Sequence, residues 1–112
     1  VLWNEPFGLS IVESLYFGCP VFGTPYGSLT EIIQLNVGIT SNSLSALVDA
    51  VQNANQFDPK ICHEYVMENF TSTQMTKAYL SKYETVLNGQ HLNAQPPILK
   101  EIQSIKFLPF LP

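Results

Sequence analysis

Residues 5–13 decide the fold, and they read Glu5-Pro6-Phe7-Gly8-Leu9-Ser10-Ile11-Val12-Glu13. Pro6 restricts the residue before it to extended or turn geometry, so the segment begins as a loop. Apolar side chains then recur at the spacing of one helix face, at Ile11, Val12, Leu15 and Tyr16. The stretch therefore predicts a loop that leads directly into an amphipathic helix over residues 9–17, which Gly18 ends as a C-cap.

Glycine and proline divide the rest of the chain into short elements. We expect strands at residues 1–3, 21–23 and 37–40, and helices at residues 28–34, 43–55, 58–69 and 71–89. Strands that alternate with helices predict an α/β fold in which helices flank a small parallel sheet. Because the sheet is so small, and because Val1 opens the chain without an initiator Met, we expect a fragment or processed product of a longer protein.

Two regions differ in character. Residues 1–89 carry the alternating elements, whereas residues 90–112 form a tail that contains proline and is largely apolar. Within the tail, Gln95-Pro96-Pro97 is typical of a linker, residues 98–105 could form one or two helical turns, and the last six residues are apolar and broken by proline. We expect this tail to pack on the domain or on a missing neighbour.

Several helices begin at recognisable capping signals. Asp58 precedes Pro59, which is a strong helix start because proline suits the first turn. Two further pairs have the spacing of a capping box, in which a hydroxyl and a carboxyl or amide group three residues later each bond the other's backbone N–H. These pairs are Ser28 with Glu31 and Thr71 with Gln74.

The composition excludes some partners. Only 12% of the residues are charged, the five basic residues are all lysine, and the net charge is −4. A nucleic-acid partner would require a basic stripe, so none is expected. No apolar run reaches the roughly 18 residues of a transmembrane segment, and we expect no signal peptide, so we expect a cytoplasmic location and leave peripheral attachment to a membrane open.

The cysteines and histidines give no sign of a metal site or a catalytic centre. Cys19 and Cys62 lack the spacing of a zinc site and favour a reducing compartment, although one disulfide stays open; both are expected to be buried. His63 and His91 have no partners at metal-ligand spacing. Tyr79 and Tyr83 lie at helical spacing and are expected to pack in the core, and Trp3, Phe7 and Phe17 to line the core or a cleft.

The chemistry of residues 5–13 follows from the end of a helix. Backbone N–H groups at Phe7, Gly8 and Leu9 would lack partners inside the helix, and the helix dipole adds positive character there. Together they predict a diphosphate site that needs no arginine. Glu13, one turn into the helix, could accept hydrogen bonds from the hydroxyls of a ribose, and Glu5 could meet whatever is attached beyond the phosphates.

Followed by Gly18-Cys19-Pro20-Val21 and then Gly27 and Glu31, this segment resembles the group 1, or GT4-like, family of retaining glycosyltransferases with the GT-B fold. The resemblance covers roughly residues 3–87 and implies the C-terminal part of a Rossmann-like domain that binds a nucleotide-diphosphate sugar. It implies that Glu5 is the catalytic glutamate that contacts the transferred sugar, that Glu13 holds the ribose, and that the backbone of Phe7, Gly8 and Leu9 holds the sugar and diphosphate.

The resemblance also implies what the chain lacks. Transfer in this family needs neither a metal nor another cofactor, and its acceptor-binding domain and its phosphate-clamping Arg and Lys would lie upstream of Val1. We therefore expect this chain by itself to be inactive. The acceptor would be a glycan, a lipid or a small molecule. Two positions depart from the family's pattern: Ser14 follows Glu13, where the family often has Ala, and Ser28 follows Gly27, where a second glycine is common.

Two other interpretations stay open. The chain could be a non-catalytic remnant or subunit that acts as a binding or interaction module, which the apolar tail and the small sheet also fit. It could instead be a phosphorylase-like relative of the same architecture. That class needs a lysine that binds pyridoxal phosphate, and no lysine here lies in a matching context.

Overall fold

The computed structural model describes residues 1–98, 105 and 107–112. It is a mixed α/β structure with a small parallel sheet and flanking helices, which confirms the expected fold class at that level. In chain order the elements are α1 (Leu9–Tyr16), β1 (Val21–Gly23), α2 (Leu29–Ile32), β2 (Gly38–Thr40), α3 (Leu44–Gln52), a 3-10 turn (Ala54–Gln56), α4 (Pro59–Asn69) and α5 (Ser72–Leu87). The helical turns predicted within residues 98–105 fall on residues that are largely outside the described part.

The sheet has two strands in the described residues, and they run parallel. Val21 lies opposite Gly38 and Gly23 opposite Thr40, with α2 as the connection between the strands. The strand predicted at residues 1–3 is wrong, since those residues form none. Their carbonyl groups have other donors: the Thr24 hydroxyl donates to the Val1 oxygen, and the Leu108 N–H donates to the Leu2 oxygen at 2.7 Å.

One hydrophobic cluster joins α1 to α4 beneath the sheet. Its fully or nearly buried members are Leu15, Val37, Cys62 and Val66. Cys62 is thus buried as predicted, but Cys19 is exposed, contrary to expectation. Cys19 lies where the chain leaves α1, and its backbone N–H closes that helix on the Ser14 oxygen at 3.0 Å, so the backbone and not the side chain is engaged.

The helix ends match the sequence signals in two cases of three. Asp58 Oδ1 accepts from the Lys60 N–H at 2.8 Å, and Thr71 Oγ1 accepts from the Gln74 N–H at 3.3 Å, so α4 and α5 both begin at side-chain caps. At Thr71 this bond is one half of the predicted capping box. The capping box predicted at Ser28 is wrong. The Ser28 hydroxyl instead donates to the Phe7 carbonyl oxygen at 2.9 Å, because the loop before α1 lies against the start of α2.

Helix α5 is the peripheral element. None of its residues is buried, and the predicted core packing of Tyr79 and Tyr83 is wrong, because each side chain is 57% exposed. The two rings contact each other instead, with centroids 6.2 Å apart. The radius of gyration, 17.0 Å, exceeds the roughly 13 Å typical of a compact chain of about this length, in keeping with a helix that packs on little.

Candidate functional site

The N-terminus of α1 presents unpartnered backbone donors. Gly8 is the N-cap residue and has φ 87°, in the left-handed region that favours glycine. The Ile11 N–H donates to the Gly8 oxygen at 3.0 Å, at the start of the helix. Within the described residues, the N–H groups of Gly8, Leu9 and Ser10 meet no acceptor. They form the kind of donor set that holds an anion at a helix N-terminus.

Glu5 lies beside these donors, and its backbone is held by the segment that precedes α2. It forms an isolated parallel bridge with Gly27, and its carbonyl oxygen accepts from the Ser28 N–H at 2.9 Å. Its side chain is also held, because Oε2 accepts from the indole N–H of Trp3 at 3.1 Å. The carboxylate is thus oriented by a local contact and remains partly accessible.

A groove of about 310 Å³ connects these features. Glu5, Gly8, Leu9 and Ser10 line it together with apolar residues of β1 and α2, such as Phe22 and Leu29. In a parallel pair, alternate residues direct their backbone groups to opposite edges, and Val21 and Gly23 bond towards β2. The Phe22 backbone therefore points away from β2, and Phe22 is one of the residues that line the groove.

The five predicted site residues separate into two sets. Glu5, Gly8 and Leu9 share the groove, whereas Phe7 and Glu13 do not line it. The Phe7 ring packs edge-on against Phe70 at a centroid distance of 6.0 Å, although its backbone adjoins the groove residues. Glu13 is exposed in the second turn of α1.

Ser10 and Ser28 are the residues that the sequence interpretation did not assign to this site. The backbone N–H of Ser10 adds a third open donor, which the predicted helix start at Leu9 already implied, because the first N–H groups of a helix have no partner inside it. Ser28 joins the Glu5 loop to α2 through its N–H and its hydroxyl. Its spacing from Glu31 favoured a cap, so no sequence signal pointed to a contact with residues 5–7.

Two titratable groups beside the hydrophobic cluster have raised pKa values. Burial raises the pKa of the Cys62 thiol, and Asp58 and Cys19 raise it further. Burial also raises the pKa of Tyr65, whose hydroxyl donates to the Ile32 oxygen at 2.8 Å. His63 Nδ1 lies 2.6 Å from the Tyr16 oxygen at the end of α1, which is a structural contact.

Over the described residues, no three His, Cys, Asp or Glu side chains group together in a way that could hold a metal ion. In the same part of the chain, no helix combines the length and apolar character that crossing a membrane requires. No family model matches the chain, and no curated protein matches it significantly.

Proposed function

We propose that this chain supplies part of the donor site of a glycosyltransferase that uses a nucleotide-diphosphate sugar. The observation that carries the proposal is the set of open N–H groups at Gly8, Leu9 and Ser10, next to the Glu5 carboxylate in one groove. An anionic diphosphate suits the donors, and a sugar attached to it would reach the carboxylate. The resemblance of residues 5–31 to group 1 enzymes of the GT-B fold supports the same assignment.

In this proposal the diphosphate is the leaving group, and the open N–H groups stabilise the charge that develops on it. Glu5 accepts hydrogen bonds from hydroxyls of the transferred sugar, and its contact with Trp3 keeps it oriented for that role. Glu13 binds the ribose from the exposed side of α1. The acceptor hydroxyl, from a glycan, a lipid or a small molecule, then attacks with retention of configuration.

The proposal assigns only part of the reaction to this chain. As the resemblance implies, transfer requires an acceptor-binding domain and cationic phosphate contacts from other polypeptide; this chain itself contains no Arg. The 112-residue chain alone binds the donor weakly and does not turn it over. The reaction is proposed to need no metal and to take place in the cytoplasm.

Binding to the diphosphate can be tested directly on this chain. In an NMR titration with ADP, GDP and UDP, we expect the amide signals of Gly8, Leu9 and Ser10 to shift most for at least one of the three. Signals of α5, such as that of Leu80, should not move. If no nucleotide moves the α1 signals at millimolar concentration, the donor site is refuted.

The two glutamates are separated by comparing a nucleoside diphosphate with its sugar derivative. Glu5→Gln should weaken binding of UDP-glucose or GDP-mannose and leave UDP or GDP affinity unchanged. Glu13→Gln should weaken both by up to about 1.5–3 kcal/mol, the range for hydrogen bonds to a charged group. Glu68→Gln, on the exposed side of α4, is the matched control. Equal losses for Glu5→Gln with and without the sugar would assign that residue a structural role.

A second candidate is an interaction module that pairs with a separate subunit. It is favoured by the apolar surface of α5, where Tyr79, Tyr83 and Val86 are each more than half exposed around a groove of about 640 Å³. Tyr83→Ser distinguishes the two functions: it should leave the nucleotide titration unchanged and abolish association with a partner. A chain that binds no nucleotide but self-associates or captures a subunit through α5 would favour the module.

A further inference from the structure

The last six residues form a clasp, defined here as residues 107–112, that lies across the body of the molecule. The Leu108 N–H donates to the Leu2 oxygen at 2.7 Å, and the Tyr26 hydroxyl donates to the Pro109 oxygen. Leu111 makes two backbone bonds: its N–H donates to the Asn42 oxygen at 2.6 Å, and its oxygen accepts from the Leu44 N–H at 2.8 Å. These last two form a parallel bridge.

The clasp joins three segments that are distant in sequence. Leu2 lies in the segment before the Glu5 loop, Tyr26 follows the carboxyl end of β1, and Asn42 follows the carboxyl end of β2. In open parallel sheets this edge is where ligands bind. None of the clasp residues lines the groove that contains Glu5, so the clasp borders the candidate site without filling it.

The Glu5 segment depends on such contacts because it has little structure of its own. Residues 1–8 belong to no helix or strand. The clasp bonds this segment at Leu2, three residues before Glu5. The clasp also bonds Tyr26, which directly precedes Gly27 and Ser28 in the chain. Gly27 and Ser28 are the two residues that contact the Glu5 backbone. The clasp therefore acts on both sides of the contact that positions Glu5.

We propose that the clasp is a positioning device that holds the Glu5 loop against the start of α2 and thereby shapes the donor groove. Its two prolines, Pro109 and Pro112, limit the conformations available to the free tail, so docking it loses less entropy. The inference about donor binding rests on the proposed function, whereas the ordering of residues 1–8 does not.

The first test measures order without any ligand. Hydrogen exchange of the Ser28 N–H, which donates to the Glu5 oxygen, should accelerate on the order of tenfold when residues 107–112 are deleted. Exchange in α4, for example at Val66, should stay unchanged, which shows that the body remains folded. An unchanged Ser28 rate in the deleted chain overturns the proposal.

Point variants remove single bonds and keep the tail. Leu111→Pro deletes the N–H that donates to Asn42, while Leu111→Ala shortens the same side chain and keeps that donor. Tyr26→Phe deletes only the hydroxyl that donates to Pro109. We expect Leu111→Pro and Tyr26→Phe each to accelerate Ser28 exchange by about two- to fivefold, and Leu111→Ala to have less effect. Equal effects of the two Leu111 variants would contradict a role for the backbone bond.

The second test uses UDP and GDP as probes on the full chain and the deleted chain. A clasp that positions the loop predicts affinity about threefold to tenfold lower after deletion. If the deleted chain binds the nucleotide more tightly than the full chain, the tail blocks the groove. If the two chains bind it equally, the tail does not affect binding at the groove. Either result overturns the proposal for binding. If the full chain binds neither nucleotide, the proposed function fails, while the exchange result still decides whether the clasp orders the Glu5 loop.

Discussion

Helices α4 and α5 follow one another with only two residues between them, and their contributions to the structure differ. Each begins at a side-chain cap, Asp58 for α4 and Thr71 for α5, and each carries apolar residues at helical spacing. Helix α4 buries Cys62 and Val66 against α1, whereas α5 buries no residue. Local sequence thus specifies two similar helices, and the presence of a facing element makes only one of them part of the core.

The difference has an energetic consequence. Hydrophobic stabilisation follows the apolar area that is removed from water, so Val66 contributes to global stability and the exposed Val86 contributes little. Most helical stability in proteins comes from such packing. We therefore expect α5 to open locally at a lower free energy than the body formed by α1, α4 and the sheet.

Removing the same methyl groups from both helices should show the largest contrast. Val66→Ala should lower the free energy of unfolding by about 2–3 kcal/mol, because it leaves a cavity beside Leu15. Val86→Ala should change it by less than about 0.5 kcal/mol, because that side chain is 53% exposed. Urea denaturation followed by tryptophan fluorescence measures both. Similar losses would mean that α5 is packed in solution.

A second contrast uses two glycines with left-handed backbone. Gly18 has φ 79° and Gly89 has φ 74°, so alanine is strained at both by about 1–2 kcal/mol. A Cβ at Gly18 would also lie 2.9 Å from Pro59 Cβ, whereas one at Gly89 would meet nothing within 4 Å. Gly18→Ala should therefore lower the thermal midpoint clearly more than Gly89→Ala. Equal shifts of the thermal midpoint would show that α1 and α4 can move apart at Gly18 and Pro59 at little cost in stability.

The two caps give a smaller effect. Asp58→Ala removes the acceptor of the Lys60 N–H and should cost about 1 kcal/mol of global stability. Thr71→Ala removes the corresponding acceptor in α5 and should reduce helical circular dichroism with little change in the unfolding midpoint, because α5 frays separately. A midpoint shift as large as that of Asp58→Ala would indicate that the two helices unfold as one unit.

The smallest expected effect concerns pH. Burial raises the pKa of Cys62 above its ordinary value of 9.0, so the folded chain keeps this proton when the unfolded chain begins to lose it. Stability from this group is complete below pH 9 and is lost as the pH rises through the folded pKa. Unfolding in urea at pH 7 and pH 10 should show a smaller alkaline loss for Cys62→Ala than for the parent chain. Cys19→Ala, at the exposed cysteine, should show the same alkaline loss of stability as the parent chain.

The candidate site shows a similar division between local signals and packing. The loop and helix of residues 5–13 were predictable, because Pro6 restricts the loop and the apolar spacing marks α1. The contact of Ser28 with this loop was not, since the spacing from Glu31 matched a cap and only the fold brings residues 5 and 28 together. For the same reason, spacing alone could not tell whether Glu13 would share the groove with Glu5.

By itself the sequence determined the order of helices and strands from α1 onward, the caps at Asp58 and Thr71, the end of α1 at Gly18 and the mixed α/β class. These features depend on dihedral preferences and hydrogen bonds within a few residues. Tertiary structure alone decided that Cys19, unlike Cys62, is exposed, that Tyr79 and Tyr83 face solvent, and that the tail bonds to Leu2 and Asn42. Burial and long-range bonds require a second surface, and no local pattern specifies which surface is present.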